Sequence, residues 1–376
     1  SDVGKGSFES HVGLSKYGPF DGGFRNDSGT IYAGGGGGAG GAGADGSGDG
    51  SDWSNAYPDL GAALDHMTSE KTEVWVAGET PISATALSQV HTLSRAVKVR
   101  GGFLGVESAA SERPANALTT IDLGGDLPGL KLKLASGATV EVERFRFVNA
   151  SARALTVTHN GASLAFSACE IENNVMGFSV EGSGTGPVSF TNCLFAGNLA
   201  NGAHTAAVSG RALYVNNCVR LTLDDCLFVT NGITAAYADA HASQSVDSGA
   251  AFYLVDTKVT ARNVRFAGNC VRRRYNGSGG GICRSEYTNG NSPAKIADSA
   301  FTNCLWVGNC MMACDYAAGI STGTKGGAAM AIDLGNKSRT VDFKFCTVAY
   351  NVMVSAYAPG GVNVYNGTVK FRDSIF

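Results

Sequence analysis

The chain has 376 residues, 44% of them hydrophobic, and a formal net charge of −3 with only 16% charged residues. This length fits one long domain or two, and so little charge excludes the basic footprint of a protein that binds nucleic acid or acidic membranes. A membrane-spanning helix needs about 18 consecutive apolar residues, and no stretch of this chain approaches that length, so we expect no membrane-spanning segment. The sequence begins at Ser1 without a signal-peptide core, which predicts a processed chain or a fragment.

The N-terminal region, residues 1–52, is rich in glycine and is predicted to be an extended arm or linker, because it has little apolar surface to bury. Oxygen-bearing side chains recur near its end in the manner of a calcium loop: Asp45, Ser47, Asp49 and Asp52. The twelfth position of such a loop should be a bidentate glutamate, but it is Ala56 here, so a glycine-aspartate turn is the favoured interpretation. We therefore expect no cofactor, with calcium as the weaker alternative.

One helix is predicted next, over residues 55–69. Its apolar face contains Leu60, Ala63, Leu64 and Met67, and Pro58 suits the first turn. The first coil of a solenoid has an open strand edge, and such edges invite aggregation. We expect the helix to cover this edge, ahead of coils that occupy residues 74–376.

A repeated phrase fills most of the remaining chain: an apolar strand, a polar turn, a cysteine or apolar residue, an aromatic residue and then asparagine. The copies align at the cysteine position on Phe145, Cys169, Cys193, Cys226, Val264, Ser299, Cys346 and Ser374. The turn position before it carries Asn192, Asp225, Asn263, Asp298 and Asp373, residue types that tolerate left-handed backbone. The closest copies are 24 residues apart and no helical period separates them, so we predict an all-β parallel β-helix solenoid.

The asparagine that closes each copy should stack on its equivalent in the next coil, with side-chain amides hydrogen-bonded along the stack. The predicted ladder contains Asn174, Asn198, Asn231, Asn269 and Asn351. The copy at Ala294–Phe301 interrupts it in this alignment, because Cys304 stands where the asparagine should be.

The ten cysteines include no Cys-x-x-Cys pair, which argues against a zinc site. Those at the repeated position are expected to be free thiols that stack inward: Cys169, Cys193, Cys226 and Cys346. A second group lies in the longer copies and is predicted to supply disulfides in an oxidising compartment: Cys270, Cys283, Cys304, Cys310 and Cys314. Five sequons would permit N-glycosylation of a secreted chain: Asn26, Asn149, Asn276, Asn336 and Asn366.

Parts of the chain resemble a known family. Residues 52–60, followed by Val74-Trp75-Val76, are similar to the opening of secreted, pectate-lyase-like right-handed parallel β-helix proteins, and residues 97–105 resemble the family's next block. The later Cys-x-Phe-x-x-Asn copies are similar to repeats of polymorphic outer-membrane proteins. The resemblance covers residues from about 50 to 376 and implies an exported, surface-displayed, right-handed β-helix, whereas activity depends on sites rather than on the fold.

Some β-helix proteins cleave polysaccharides, and Asp224–Asp225 is the one adjacent acidic pair in a coil that could serve glycoside hydrolysis. Asp225 also occupies the turn position of the repeat, and neither Gly-His-Gly nor Arg-x-Lys follows it. The basic run at residues 272–274 is interpreted as a solvated loop rather than as the base of a lyase. The six histidines show no spacing typical of metal ligands or of a triad.

We therefore predict an extracellular structural or adhesive protein without a catalytic role, a subunit of a cell-surface fibre, sheath or appendage. Its expected partners are copies of itself or other surface proteins. The alternatives are a carbohydrate-active enzyme, either polysaccharide lyase or hydrolase, and a glycan-binding adhesin. Because the last copy stops at Phe376, we expect a longer natural chain or a second subunit over this edge, with residues 1–32 ordered against a neighbouring subunit.

Overall fold

The structure is a computed structural model that describes residues 30–34, 50–78, 89–182, 186–199, 210–233, 249–273, 280–286, 299–313, 326–334, 339–354, 361–365 and 367–376. The regular secondary structure of these residues is nearly all β-strand, and the strands form long parallel sheets that together build a solenoid. The predicted all-β class and the parallel solenoid are therefore confirmed.

The strands fall into three long sheets and one short sheet in the described part of the chain. Sheet A contains, in spatial order, β1 (Thr30–Gly34), β2 (Glu73–Ala77), β4 (Ala96–Phe103), β7 (Thr139–Glu143), β10 (Ser163–Ser167), β13 (Pro187–Thr191), β16 (Arg220–Asp224), β19 (Lys258–Arg262), β23 (Ser299–Thr302), β27 (Thr340–Lys344) and β31 (Thr368–Arg372). Sheet B contains β5 (Thr119–Asp122), β8 (Phe145–Val148), β11 (Glu170–Glu172), β14 (Leu194–Ala196), β17 (Leu227–Val229), β20 (Arg265–Ala267), β24 (Leu305–Val307) and β28 (Thr347–Ala349). Sheet C contains β3 (His91–Leu93), β6 (Leu130–Leu134), β9 (Arg153–His159), β12 (Met176–Gly182), β15 (Leu213–Asn216), β18 (Phe252–Val255), β22 (Gly280–Glu286), β26 (Gly326–Asp333) and β30 (Val362–Tyr365). Sheet D contains β21 (Cys270–Arg273), β25 (Cys310–Ala313) and β29 (Val352–Val354).

From β4 onwards, each complete coil contributes a strand to sheet A, then to sheet B, then to sheet C, and the chain returns to sheet A one strand further along. In the last three of these coils a strand of sheet D lies between the strands of sheets B and C. Neighbouring coils are in register, so equivalent side chains stack inside the solenoid. Phe166 pairs with Phe190, and their rings stack with centroids 4.9 Å apart. Phe195 stacks on Phe228 at 4.5 Å in the same way. Such fully buried aromatic side chains contribute about 1.5–3 kcal/mol each through the apolar area removed from water.

The turn between sheets A and B is a column of left-handed backbone. Its members all have φ between 48° and 59°: Arg144, Ala168, Asn192, Asp225, Asn263, Asn303, Phe345 and Asp373. Left-handed backbone costs an ordinary residue about 1–2 kcal/mol, and short polar side chains that bond locally reduce this cost. This explains why asparagine and aspartate recur at the turn position of the repeat.

The register corrects the alignment of one copy. In β23, Phe301 pairs with Ala261 on one side and with Phe343 on the other. The turn position is consequently Asn303 and the cysteine position is Cys304, not Asp298 and Ser299 as predicted.

The predicted alignment of the copy that contains Phe301 was wrong by five residues, and the spacing of the inward aromatic positions explains the error. Sheet A and sheet B each have an inward position that can carry an aromatic side chain, and the two positions are five residues apart, as Phe190 and Phe195 show. A shift of five residues therefore places one aromatic on the other. Phe301 belongs to the first position, and Trp306 occupies the second.

The N-terminal strand corrects the predicted extent of the arm. β1 pairs in parallel with β2 of the same chain, and the side chains of Thr30, Ile31 and Tyr32 are buried. The Tyr32 ring packs edge-on against Trp53 at 4.9 Å and Trp75 at 5.6 Å. Residues 30–32 are therefore ordered against their own solenoid and not against a neighbouring subunit, whereas residues 1–29 lie outside the described part.

The helix is shorter than the predicted span of residues 55–69. Helix α1 covers Leu60–Asp65, and a single 3₁₀ turn follows later at Ala110–Glu112. The Asp59 carboxylate accepts a hydrogen bond from the Ala62 amide at 2.8 Å, which satisfies an amide that has no partner within the helix. The α1 face with Leu60 and Leu64 is buried, and α1 contacts β1, β2 and β3.

The extra residues of the longer coils fall mostly between the strands of sheets B and C. Residues 173–175 connect β11 to β12 in a short coil, whereas residues 197–212 connect β14 to β15 and residues 230–251 connect β17 to β18. Strand pairing on either side of these connections stays in register. Coil length therefore changes without a change in the sheets.

Candidate functional site

The closing asparagines form a buried ladder that runs through the coils. Asn198 shows the pattern: its Nδ2 donates to the Ile171 carbonyl at 2.8 Å and to Asn231 Oδ1 at 2.8 Å. Its Oδ1 accepts from the Asn174 backbone amide at 3.3 Å and from Asn174 Nδ2 at 3.0 Å. The asparagine ladder comprises Asn174, Asn198, Asn231, Asn269, Asn309 and Asn351.

Asn309 corrects the predicted gap in this ladder. It receives the hydrogen bond from Asn269 Nδ2 at 3.0 Å and donates its own Nδ2 to Asn351 Oδ1 at 2.7 Å. Cys304, which the alignment placed in the ladder, lies in the cysteine column instead. Each ladder asparagine uses both the donor and the acceptor of its amide inside the solenoid, so the ladder fixes the coils in register.

The cysteines at the repeated position point inward and stack. Cys169, Cys193, Cys226 and Cys346 are each at most 2% exposed. The hydrogen bond between Cys226 and Cys193, together with burial, raises the pKa of the Cys226 thiol. These side chains fill the interior as small apolar groups, and their burial keeps reagents in solution away from the thiols.

The predicted disulfides are not formed among the described residues. All nine cysteines in this part of the chain are free thiols. Cys283 and Cys304 are buried rather than in loops, and the Trp306 indole donates to Cys283 Sγ at 3.4 Å. Cys270 and Cys310 are partly exposed and face one another on β21 and β25. Cys314 lies outside the described residues.

Both carboxylates of the acidic pair, Asp224 and Asp225, accept hydrogen bonds from side chains of the next coil. The Arg262 guanidinium donates to both carboxylate oxygens of Asp224, at 2.9 and 2.6 Å, and these hydrogen bonds lower the pKa of that carboxyl. Asp225 accepts from Asn263 Nδ2 at 2.9 Å, and Asn263 Oδ1 accepts from Asn303 Nδ2 at 2.8 Å. A general acid for glycoside hydrolysis needs a raised pKa, so the lowered pKa of Asp224 is the opposite of what that role requires.

The remaining predicted site residues are dispersed. Asp52 accepts from the backbone and side-chain amides of Asn55, at 2.8 and 3.0 Å, and the other three residues of the calcium pattern lie outside the described part. Within that part, no three His, Cys, Asp or Glu side chains are placed to hold a metal ion. Arg272 and Arg273 belong to strand β21 rather than to a loop. None of the described helices is long and apolar enough to cross a membrane.

One of the predicted glycosylation sites is described by the structure. Asn149 is exposed, and its Nδ2 donates to Asp122 Oδ1 at 2.9 Å. The other four sequon residues lie outside the described ranges: Asn26, Asn276, Asn336 and Asn366.

Five strands of sheet B, from β14 to β28, carry an apolar surface on their outer face that the sequence interpretation missed. We call it the sheet B stripe, and its partly exposed members are Leu194, Ala196, Leu227, Val229, Ala267, Leu305, Val307 and Ala349. Arg265 and Thr347 are its polar interruptions. The signal was present in the sequence, because β14, β17 and β24 are apolar at all three positions instead of alternating.

The outer face of sheet A is polar by contrast. Its outward positions in the same coils carry Ser189, Thr191, Thr222, Asp224, Thr260, Arg262 and Thr302. In these coils, the outer face of sheet A is therefore much more polar than the sheet B stripe.

No family model, no curated protein and no solved structure matches this chain. The resemblance to secreted β-helix and polymorphic outer-membrane proteins accordingly stays an expectation. The candidate functional surface rests on the geometry of the sheet B stripe alone.

Proposed function

We propose that this chain is an exported structural or adhesive protein whose solenoid is a right-handed parallel β-helix that assembles with copies of itself at the cell surface. The proposal includes a role for α1 as a cover over the first coils, which its contacts with β1, β2 and β3 support. Right-handed crossovers connect parallel strands in about 98% of known cases, which supports the handedness. Exposure of Asn149 is compatible with glycosylation of an exported chain.

The sheet B stripe is the observation that carries this proposal. Its aliphatic side chains repeat at the strand spacing of about 4.8 Å, because Ala196, Val229, Ala267 and Val307 pair in register from strand to strand. A second solenoid presents aliphatic side chains at the same spacing, so two stripes can interdigitate along their length. We therefore assign the stripe to a second copy of this chain.

The size of the stripe sets the strength of this contact. The stripe spans five strands of sheet B, from β14 to β28, so at about 4.8 Å per strand it is roughly 24 Å long. A stripe about 10 Å wide then offers about 240 Å² at most, well below the roughly 800 Å² that each partner buries in a stable interface. We expect weak lateral association that becomes strong only when many copies align and bind multivalently.

Paired charge substitutions on the two faces test the proposal. Leu227→Asp with Leu305→Asp places carboxylates in the stripe, and Thr222→Asp with Thr302→Asp places them on the outer face of sheet A as the matched control. In sedimentation velocity over a concentration series, the wild type and the sheet A variant should associate, whereas the sheet B variant should stay monomeric. Equal association of all three proteins, or a wild type that is monomeric at every concentration, would refute the proposal.

A further inference from the structure

Two cysteines occupy the same position in successive coils, at the corner where sheet D begins. Cys270 opens β21 and Cys310 opens β25, and the two residues are direct partners in the parallel register. Each one directly follows an asparagine of the ladder, Asn269 or Asn309.

The asparagine ladder holds the two backbones in place beside these thiols. Asn309 Oδ1 accepts from both the backbone amide and the side-chain amide of Asn269, each at 3.0 Å. The Cys310 amide donates to the Asn269 carbonyl at 2.8 Å. Partner residues on parallel strands lie about 4.8 Å apart, and disulfides span Cα separations of about 4.4–6.8 Å. Bond formation therefore requires no shift of the register.

The structure assigns Cys270 and Cys310 as a redox modification site, at which a reversible disulfide joins two adjacent coils. This assignment concerns the chain itself and does not depend on the proposed association at the cell surface.

Exposure separates this pair from the other stacked thiols. Cys270 and Cys310 are partly exposed, whereas Cys304 and Cys346, which are also neighbours on adjacent strands, are 2% and 1% exposed. The preceding coil contributes Gly232 next to Cys270, and glycine has no side chain to cover the thiol. An oxidant in solution can thus reach the outer pair while the inner pair stays enclosed.

The protonation of the outer pair also favours reaction. Cys270 donates a hydrogen bond to Cys310, which lowers the pKa of the Cys310 thiol to about 7. A substantial fraction of Cys310 is then thiolate at neutral pH, and the thiolate is the reactive species. The proton stays on Cys270, whose pKa is raised by the same hydrogen bond.

A small disulfide such as oxidised glutathione supplies the oxidising equivalents. The Cys310 thiolate attacks one glutathione sulfur, which forms a mixed disulfide and expels the first glutathione thiolate. Cys270 then loses its proton to solvent, and its sulfur attacks Cys310 Sγ and expels the second glutathione thiolate. Two protein thiols lose two electrons and two protons, and one molecule of oxidised glutathione becomes two reduced molecules.

Oxidation of the fully reduced native chain, followed by mass spectrometry of non-reduced peptides, tests the assignment. We expect an intact mass lower by about 2 Da and one cross-linked peptide pair that joins Cys270 to Cys310, both reversed by a dithiol reductant. In the same digest, Cys304 and Cys346 should remain reduced and serve as the internal control. A Cys310–Cys314 link or an unoxidised Cys270–Cys310 pair would overturn the assignment.

Two single variants identify the attacking sulfur. Cys270→Ser should retain a stable glutathione adduct on Cys310, because the resolving thiol is missing, and Cys314→Ser should still form the cross-link. Loss of the cross-link in Cys314→Ser, or no adduct in Cys270→Ser, would contradict the assignment.

Discussion

Replacing Asn231 with alanine removes a middle rung of the asparagine ladder and tests whether the ladder holds the coils together. The Asn231 side chain is 1% exposed and takes part in four hydrogen bonds. Its Nδ2 donates to the Phe195 carbonyl and to Asn269 Oδ1, both at 2.9 Å. Its Oδ1 accepts from the Asn198 backbone amide at 3.2 Å and from Asn198 Nδ2 at 2.8 Å.

The expected loss follows from these four bonds. A buried hydrogen bond between neutral groups contributes about 1 kcal/mol net, and a buried donor left without a partner costs about 1–3 kcal/mol. Alanine leaves the Asn198 backbone amide without its acceptor. We therefore expect Asn231→Ala to lower the free energy of unfolding by about 3–5 kcal/mol.

The matched control lies in the outer turn column of the next coil. Asn263 makes two hydrogen bonds to Asp225 and Asn303, but its side chain is exposed, so water replaces the lost partners. Glycine tolerates the left-handed φ of 55° at this position. Asn263→Gly should thus lower the free energy of unfolding by about 1 kcal/mol or less.

Urea unfolding followed by circular dichroism compares the two variants, and native-state hydrogen exchange locates the loss. Amides of the coils that contain Asn198 and Asn269 should lose protection in Asn231→Ala, because solenoid stability is a sum of local and nearest-neighbour terms. A loss for Asn231→Ala no larger than that for Asn263→Gly would refute the argument that the ladder fixes the register.

Two further predictions concern stability. Burial lowers the pKa of His159 below its usual 6.5, so the unfolded chain takes up a proton more readily than the folded chain. The free energy of unfolding should therefore fall as the pH drops below about 6.5. His159→Gln should remove this part of the pH dependence in urea unfolding at several pH values, and an unchanged pH dependence would contradict the prediction. A Cβ at Gly232, where φ is +115°, would lie 1.8 Å from the Cys270 carbonyl oxygen, so Gly232→Ala should destabilise the fold by about 3 kcal/mol or more. At Gly308, φ is +61° and the described residues leave the Cβ position open, so Gly308→Ala should lower the free energy of unfolding by only about 1–2 kcal/mol. Equal losses of stability in the two variants would show that the close approach of Gly232 to the Cys270 carbonyl does not matter.

The repeat made the fold predictable from the sequence, because strand, turn and asparagine recur together and stacking superposes them. Asn174, Asn198 and Asn231 are assigned from spacing alone, and the structure links their amides. The copy around Cys304 shows where this reasoning fails. Two inward aromatic positions five residues apart give two alignments of similar hydrophobic quality, and only the strand pairing distinguishes them.

The surfaces were harder to predict than the core. The repeated phrase defines only the inward aromatic position of each sheet B strand, so Leu227 and Leu305 were not recognised as parts of a continuous outer face. Disulfide prediction failed for a related reason, since cysteine clustering along the chain does not reveal which thiols face inward. Cys283 and Cys310 are both close to the long connections in sequence, yet one is enclosed and the other is partly exposed.

The connections between sheets B and C differ in length from coil to coil, whereas the strands of the sheets keep the same pairing. The asparagine ladder directly follows the sheet B strands, so Asn198 and Asn231 bind the neighbouring coils at the very start of the connections 197–212 and 230–251. A segment at this corner can lengthen, shorten or change composition while the neighbouring coils keep the same partners. One connection can thus be replaced at a time while the strand pairing that builds the solenoid stays the same.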